Sequence, residues 1–222
     1  MSGAPQSSDL VLFGRSSSSF TRIARIYAAE LGVRYEFRIV PDLMSLEAAD
    51  YGDNPALRLP VLRAAEGTWF GSSSICRALS RRASSEKLLI WPEDLEHPLT
   101  ANAQELTLVA MSTEVSLIMA QLAGAGAGAG AGEGEGEGAN INKLRRSLEN
   151  TLTWLDEHIE PALAALPSER QSSFLEVTAF CLVTHLGFRG VLAVTPYPKL
   201  VAFSERFGER ASAQETPYRF DR

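Results

Sequence analysis

The pattern of apolar and polar positions changes its period several times in the first third of the chain. A short apolar run, Asp9–Phe13, stops at Gly14 and predicts a buried strand. Apolar residues then recur at helical spacing through Ser19–Leu31, and Gly32 predicts the end of that helix. Alternation in Tyr35–Val40 predicts a second strand. A strand, a helix and a strand within about 30 residues form a βαβ unit, so we expect the two strands to be parallel.

A β-hairpin and a helix are predicted to follow this unit. The apolar runs Leu59–Arg63 and Thr68–Phe70 surround a glycine-containing turn, which is typical of a hairpin. Helical spacing returns in Ser72–Arg82. The predicted order is therefore β-α-β, a polar connection, and then β-β-α.

Strand signals stop after the stretch Ser84–Pro98, and long helical patterns take their place. The third of these patterns, Ser172–Phe188, is apolar on nearly every side, so we expect a buried central helix. It opens with Ser173-x-x-Glu176, the pattern of a capping box. The four predicted helices cover Ala101–Leu122, Asn142–Leu166, Ser172–Phe188 and Tyr197–Arg210. We therefore divide the chain into an α/β domain at 1–84, a linker at 85–97 and an all-helical domain at 98–222.

A low-complexity segment, AGAGAGAGAGEGEGEG, interrupts the helical domain at residues 123–138. Alternating glycine makes a helix costly, and the glutamates repel one another. We predict a flexible surface loop that joins two antiparallel helices. The alternative is a lid over a site between the domains.

Charge and composition exclude several classes of function. The formal net charge is -6, and the basic residues are scattered, which argues against binding nucleic acid. No apolar run reaches the roughly 20 residues that span a bilayer, and the first residues lack the basic and apolar parts of a secretory signal. Cys76 and Cys181 lie among apolar residues without metal-like spacing, and the three histidines are isolated. We expect a cytoplasmic protein without a metal site or a membrane segment.

Several short motifs, taken together, resemble those of the cytosolic glutathione S-transferases of bacterial type. NPALRLPVL at Asn54–Leu62 matches the NP-x-G-x-V-P-x-L run of that family, and FGSSSICRAL at Phe70–Leu79 is similar to its x-E-S-x-A-I-x-x-Y-L run. SFLEVT and the stretch YPKLVAFSERFGERAS continue the likeness towards the C-terminus. The resemblance implies a thioredoxin-like N-terminal domain that binds glutathione, and a helical domain that holds a small apolar second substrate. It also implies a homodimer.

The resemblance assigns glutathione-binding roles to four residues of the hairpin and the following helix. It implies a cis bond between Leu59 and Pro60, with the Leu59 backbone holding the cysteinyl unit of glutathione; the alternative is a trans proline that opens an edge strand. Ser72, with its neighbour Ser73, is expected to receive the γ-glutamyl carboxylate at a helix N-terminus. The alternative for Ser72 is a plain N-cap. Gly71 stands where the family carries an acidic or amide residue, so it offers no side chain to the γ-glutamyl ammonium.

Four consecutive serines precede the first predicted helix. The resemblance places Ser18 where theta- and zeta-like members carry a catalytic serine and omega-like members a cysteine. A hydroxyl at the positive end of a helix can donate to the glutathione sulfur and favour its thiolate. Ser16, Ser17 or Ser19 could be the donor instead, or the run could serve only as a helix cap and a turn.

Three further residues are candidates for secondary roles. Arg15 or Arg22 could steer the anionic tripeptide; Arg15, in the loop before the helix, is the better candidate, and Arg22 is expected to lie on a solvated face. His185 is expected to be a satisfied residue of the core.

These assignments predict an enzyme that conjugates glutathione to small apolar electrophiles. One alternative is a binding or structural protein with little catalysis, which the missing side chain at Gly71 favours. Another is a glutathione-dependent lyase, isomerase or reductase, because one fold hosts several reactions. A serine rather than a cysteine at Ser18 disfavours thiol–disulfide exchange.

Overall fold

The computed structural model describes residues 9–84, 88–126 and 135–221. These residues form two compact units. The first unit contains residues 9–84 together with 208–221, and the second contains the described residues in between. Residues 208–221, which the sequence analysis placed in the helical domain, thus pack with the α/β unit.

The first unit is built on a four-stranded mixed sheet. The strands lie in the order β2 (Glu36–Ile39), β1 (Val11–Gly14), β3 (Val61–Ala64) and β4 (Gly67–Phe70), with β1 and β2 parallel and the other two pairs antiparallel. A short 3-10 helix, Ala48–Tyr51, lies in the polar connection. The predicted βαβ-ββα arrangement is confirmed. The elements are β1 (Val11–Gly14), α1 (Ser19–Leu31), β2 (Glu36–Ile39), β3 (Val61–Ala64), β4 (Gly67–Phe70) and α2 (Ser72–Ser80).

Helix α1 is defined by an apolar face and by two different ends. Its face buries Ile23, Ile26 and Tyr27, at the spacing of one side of a helix. Ser18 is the N-cap, and Gly32 ends the helix in the left-handed region, with φ of 67°. Glycine is favoured there because it has no Cβ to strain the backbone, and its N–H reaches the carbonyls of the last turn.

The second unit is helical apart from one short pair of parallel strands, which the sequence analysis did not predict. Its central helix, α5, opens with the predicted capping box. The Ser173 hydroxyl accepts from the Glu176 N–H over 3.1 Å, and the Glu176 carboxylate accepts from the Ser173 N–H over 2.8 Å. The elements are β5 (Leu89–Ile90), α3 (Pro98–Gly126), α4 (Glu135–Ala164), β6 (Ser172–Ser173), α5 (Phe174–Arg189) and α6 (Pro198–Gly208).

The connection between α3 and α4 is shorter than the loop that the sequence analysis predicted. Helix α3 continues to Gly126 and α4 begins at Glu135, so both ends of the predicted loop at 123–138 are helical. These two long helices pack against each other, and tertiary packing commonly overrides low helix propensity. The remaining prediction, for residues 127–134, falls outside the described residues.

One stretch of α3 has the length and composition of a membrane-spanning helix. It is Pro98–Leu122, of 25 residues. Core helices of soluble proteins have the same character, and α3 packs against both α4 and α5. The apolar character of α3 is therefore weak ground for placing it in a bilayer.

The C-terminal segment, residues 208–221, packs along α1 of the first unit. After α7 (Ala211–Gln214), the chain runs past α1 towards its N-terminal end. The Glu30 carboxylate accepts from the Ser212 hydroxyl over 2.6 Å and from Nε of Arg210 over 3.0 Å. The guanidinium of Arg22 donates to the Ala213 carbonyl over 3.1 Å. Arg22 is buried beneath this segment, so the expectation of a solvated residue was wrong.

Candidate functional site

The sheet brings the three predicted glutathione-binding segments to one edge. Phe13 of β1 pairs with Val61 of β3, and Val61 pairs with Phe70 of β4. Immediately beyond this row lie the serine loop that follows β1, the Leu59–Pro60 bond that precedes β3, and the start of α2 that follows β4. Strand direction and register therefore place segments that are far apart in sequence beside one another.

The Leu59–Pro60 peptide bond is cis, as the resemblance implied. The Pro60 carbonyl accepts from the Gly71 N–H over 3.2 Å, which ties this bend to the end of β4. The Leu59 side chain is half-buried and packs against Phe13 and Val61. In the described part of the chain, the Leu59 N–H and carbonyl have no hydrogen-bonding partner. They form a short free peptide edge of the kind that can bind an extended peptide.

Helix α2 begins at Ser72 with its first N–H groups uncapped by any side chain. Its N-cap is Gly71, at φ of 78° and ψ of 147°. Ser72 is the first helical residue, so the alternative that it is the N-cap was wrong. The N–H groups of Ser72, Ser73 and Ser74 have no acceptor within the helix, because the first intrahelical bond runs from Ile75 to Gly71. This end of α2 is suited to an anionic group.

Gly71 has a backbone conformation that favours glycine. Its positive φ strains any residue with a Cβ by roughly 1 kcal/mol. A Cβ built at Gly71 meets no other atom within 4 Å, so there is room for a side chain. The departure from the family pattern at Gly71 therefore relieves backbone strain and removes a possible partner for an ammonium group.

Ser18 caps α1 and still has a proton to donate. Its hydroxyl oxygen accepts from the Thr21 N–H over 3.2 Å, and its backbone is extended, as at an N-cap. The side chain is half-buried, and no acceptor for its own hydrogen is present among the described residues. The first turn of α1 contains no acidic residue, so no charge within that turn offsets the positive end of the helix. The cap and the donor interpretations are thus compatible, since one uses an oxygen lone pair and the other uses the hydrogen.

The other three serines have different surroundings. Ser16 is buried, with its N–H donating to Oδ2 of Asp221 over 2.7 Å and its hydroxyl 3.4 Å from Nε of Arg219. Ser17 is half-buried. Ser19 is buried, and its hydroxyl has no partner within the described ranges. Ser16 therefore faces the C-terminal segment, which makes it the least suitable of the four to contact a bound ligand.

Arg15 is engaged by neighbours that the sequence analysis missed. Its Nη1 donates to the Pro41 carbonyl over 3.0 Å, and its Nε lies 4.0 Å from Oδ2 of Asp221. The Arg15 side chain is 18% exposed and that of Asp221 is 2% exposed. No motif marked Asp221, because its contact with Ser16, 205 positions away, leaves no local pattern in a sequence.

His185 is a core residue of the second unit, as expected, but it has an acidic partner. Its Nδ1 lies 2.9 Å from Oε1 of Glu114, and both side chains are almost fully buried. Burial raises the pKa of the Glu114 carboxyl, and the hydrogen bond and charge of His185 and the charge of Arg189 lower it by less. In the described ranges, no group of three or more histidine, cysteine, aspartate or glutamate side chains is placed to hold a metal ion.

The first unit matches a known domain family. Residues 17–82 match the family described as the glutathione S-transferase N-terminal domain. That range contains Ser17, Ser18, the cis Leu59–Pro60 bond and the start of α2. No curated protein sequence gives a significant match to the chain.

Solved structures with the same fold cover nearly the whole chain. A glutathione S-transferase from Methylobacillus flagellatus KT with glutathione bound is 20% identical, with a TM-score of 0.70, and covers 94% of this chain and 98% of its own. A glutathione transferase family member from Pseudomonas fluorescens Pf-5 with bound glutathione is 19% identical, with a TM-score of 0.73 and coverage of 95% and 99%. A glutathione S-transferase from Methylobacterium radiotolerans JCM 2831, in complex with glutathione sulfonate, is 20% identical, with a TM-score of 0.69 and coverage of 96% and 97%. Residues 17–82 therefore match the glutathione S-transferase N-terminal domain family, and the chain shares the fold of these glutathione S-transferase structures over nearly its full length.

Proposed function

We propose that this protein is a glutathione transferase that conjugates glutathione to small apolar electrophiles, a reaction that detoxifies them. The observation that carries the proposal is the state of Ser18, a half-buried helix cap with an available hydroxyl hydrogen. It lies at the sheet edge where the other two predicted binding segments also end.

The three segments suit different parts of the tripeptide. The free peptide edge of Leu59 pairs with the backbone of the cysteinyl unit, as a strand pairs with a sheet edge. The uncapped N–H groups of Ser72 and Ser73 receive the γ-glutamyl carboxylate at the positive end of α2. Arg15 adds a positive charge to the same edge of the first unit, although Asp221 lies close to it.

Ser18 then acts on the sulfur. A free thiol has a pKa of about 8.5, so only a small fraction of glutathione is thiolate at neutral pH. A hydroxyl that donates to the sulfur stabilises the anion, and the helix N-terminus adds to the effect. Each unit by which the thiol pKa falls corresponds to about 1.4 kcal/mol, which is within the range of one charge-assisted hydrogen bond. The thiolate is the nucleophile, and Ser18 is its hydrogen-bond donor.

A second candidate function is a glutathione-binding protein with little catalysis. Gly71 favours it, because no side chain at that position can pair with the γ-glutamyl ammonium. A transferase with weak affinity and a binding protein differ in whether the bound thiol is ionised.

We also propose a cytoplasmic homodimer, outside any membrane. Helix α3 has exposed apolar side chains at Val109, Met119 and Leu122, and the exposed Ser112 and Ser116 lie along the same side. An apolar stripe interrupted by small residues allows close packing against a second helix. Cys76 and Cys181 are buried and form no disulfide, which is consistent with a reducing compartment.

The proposal is tested by titrating the ultraviolet thiolate absorbance of glutathione in the presence of the protein, together with its binding constant. We expect saturable binding and a thiol pKa at least about one unit below that of free glutathione, which corresponds to about 1.4 kcal/mol. Haloalkane, isomerase and peroxide substrates then separate conjugation from the lyase, isomerase and reductase alternatives. Binding without a change in the thiol pKa would favour the second candidate, and absence of binding would refute both.

A further inference from the structure

Residues of the C-terminal segment engage both backbone polar groups of Ser16. Its N–H donates to Oδ2 of Asp221 over 2.7 Å, and its carbonyl accepts from the Arg219 N–H over 3.4 Å. Nε of Arg219 also lies 3.4 Å from the Ser16 hydroxyl. Because Ser16 is buried, its N–H would lose the acceptor that the structure gives it if Asp221 were removed.

The carboxylate of Asp221 has a hydrogen-bond donor and a positive charge beside Oδ2, whereas its Oδ1 has no hydrogen-bonding partner among the described residues. Its side chain is 2% exposed, and a buried carboxylate is stable only with donors or a positive charge nearby. The Ser16 N–H supplies the donor, and Arg15 supplies the charge at 4.0 Å. Earlier in the C-terminal segment, the ring of Tyr218 lies 4.3 Å from the guanidinium of Arg22 in α1. The segment therefore contacts both the serine loop and α1 itself.

Ser16 lies inside the turn that ends at Ser18. The Arg15 carbonyl accepts from the Ser18 N–H over 3.1 Å, so residues 15–18 form one hydrogen-bonded turn with Ser16 in its second position. Ser18 is the last residue of the turn and the N-cap of α1. A displacement of Ser16 would therefore also displace the Ser18 hydroxyl.

We propose that Asp221 is a positioning residue for Ser18: its buried carboxylate clamps Ser16 and so fixes the turn that presents the Ser18 hydroxyl. The proposal rests on the proposed function, because positioning matters only if Ser18 acts on a bound thiol. A misplacement of about 1 Å at a reacting group can cost about a hundredfold in rate, so a clamp on this turn has a measurable consequence.

The test uses three variants of the full chain. Asp221→Ala removes the acceptor, whereas Asp221→Asn keeps an oxygen that can accept from Ser16 but removes the charge. Glu215→Gln is the matched control, because Glu215 is an exposed acid of the same C-terminal segment outside the turn. Two quantities are measured: the hydrogen-exchange rate of the Ser16 amide by NMR, and the pKa of the bound glutathione thiol with kcat and KM.

We expect Asp221→Ala to raise the Ser16 exchange rate by about tenfold or more and to return the bound thiol pKa towards that of free glutathione. We expect kcat to fall by about tenfold while KM for glutathione changes less, because the displaced group acts on the sulfur. Asp221→Asn should keep the Ser16 exchange rate and the bound thiol pKa close to their wild-type values, and Glu215→Gln should match the wild type.

The contrary outcomes are distinct from one another. Unchanged Ser16 exchange in Asp221→Ala refutes the clamp. Faster exchange with an unchanged thiol pKa refutes the positioning role, and a lower thiol pKa or a higher kcat also refutes it, because the segment would then restrain the site. A wild-type protein that leaves the glutathione thiol pKa unshifted refutes the proposed function itself, and the exchange rates then decide alone whether Asp221 clamps Ser16.

Discussion

The N–H of Gly71 donates to the carbonyl of Pro60 over 3.2 Å, which joins the proline of the cis bond to the N-cap of α2. The bond fixes the free peptide edge of Leu59 relative to the uncapped N–H groups of Ser72 and Ser73. Two binding segments that are separated along the chain are thereby held as one surface. The backbone conformation of Gly71 therefore affects the position of both binding segments.

The first prediction concerns the missing side chain at Gly71. Gly71→Glu should tighten glutathione binding by about fivefold, which corresponds to about 1 kcal/mol for a partly exposed ion pair with the γ-glutamyl ammonium. The positive φ should lower the free energy of unfolding by roughly 1 kcal/mol. Calorimetric titration with glutathione measures the first effect and denaturant unfolding the second. Gly71→Ala is the control for strain without charge, and equal glutathione affinity in both variants would contradict the prediction.

The second prediction concerns the exposed apolar stripe of α3. Met119→Glu places a charge in the proposed dimer interface, so sedimentation velocity should report a shift from dimer towards monomer. Leu88→Glu changes an exposed apolar residue outside α3 and should leave the mass unchanged. A wild-type protein that sediments as a monomer at micromolar concentration would contradict the proposed assembly.

The third prediction follows from the buried pair Glu114 and His185. Burial raises the pKa of Glu114 in the folded state above its value of 4.5 in an exposed site, so the folded protein holds the proton more tightly than the unfolded chain. The free energy of unfolding should therefore fall as the pH rises from 4.5 through the folded-state pKa. Glu114→Gln should flatten this decline.

Denaturant unfolding at a series of pH values measures the effect. Glu105→Gln, at an exposed position of the same helix, should keep the wild-type profile. The prediction fails if Glu114→Gln and Glu105→Gln have the same pH dependence. Glu114→Ala is unsuitable for this comparison, because the cavity it leaves would destabilise the core at every pH.

Local patterns were sufficient for much of the first unit. The change of period from strand to helix between Phe13 and Phe20 predicted β1 and α1, and glycine at Gly32 predicted where α1 ends. The cis bond at Pro60 came only from the motif resemblance, since few X–Pro bonds are cis in folded proteins. The register that aligns Phe13, Val61 and Phe70 was not predicted from the sequence and is a finding of the structure.

Long-range contacts were not predictable in the same way. The clamp between Asp221 and Ser16 joins residues 205 positions apart, and Asp221 lies in a stretch without periodicity. Arg22 looked solvated on the helix pattern, yet the C-terminal segment buries it. The extension of α3 to Gly126 also departs from local propensity, which disfavours alternating glycine in a helix.

The most direct test of the account compares Ser18→Ala, Ser18→Gly and Ser18→Thr in the thiolate titration of bound glutathione. Threonine keeps a hydroxyl and a good cap, whereas glycine removes the hydroxyl at a cost of only a few tenths of a kcal/mol to the helix, against about 1 kcal/mol for alanine. If Ser18 donates to the sulfur, Ser18→Thr keeps the lowered thiol pKa, while Ser18→Ala and Ser18→Gly both raise it by about one unit or more. If all three variants bind glutathione with the wild-type thiol pKa, the Ser18 hydroxyl is only a helix cap and the central claim is wrong.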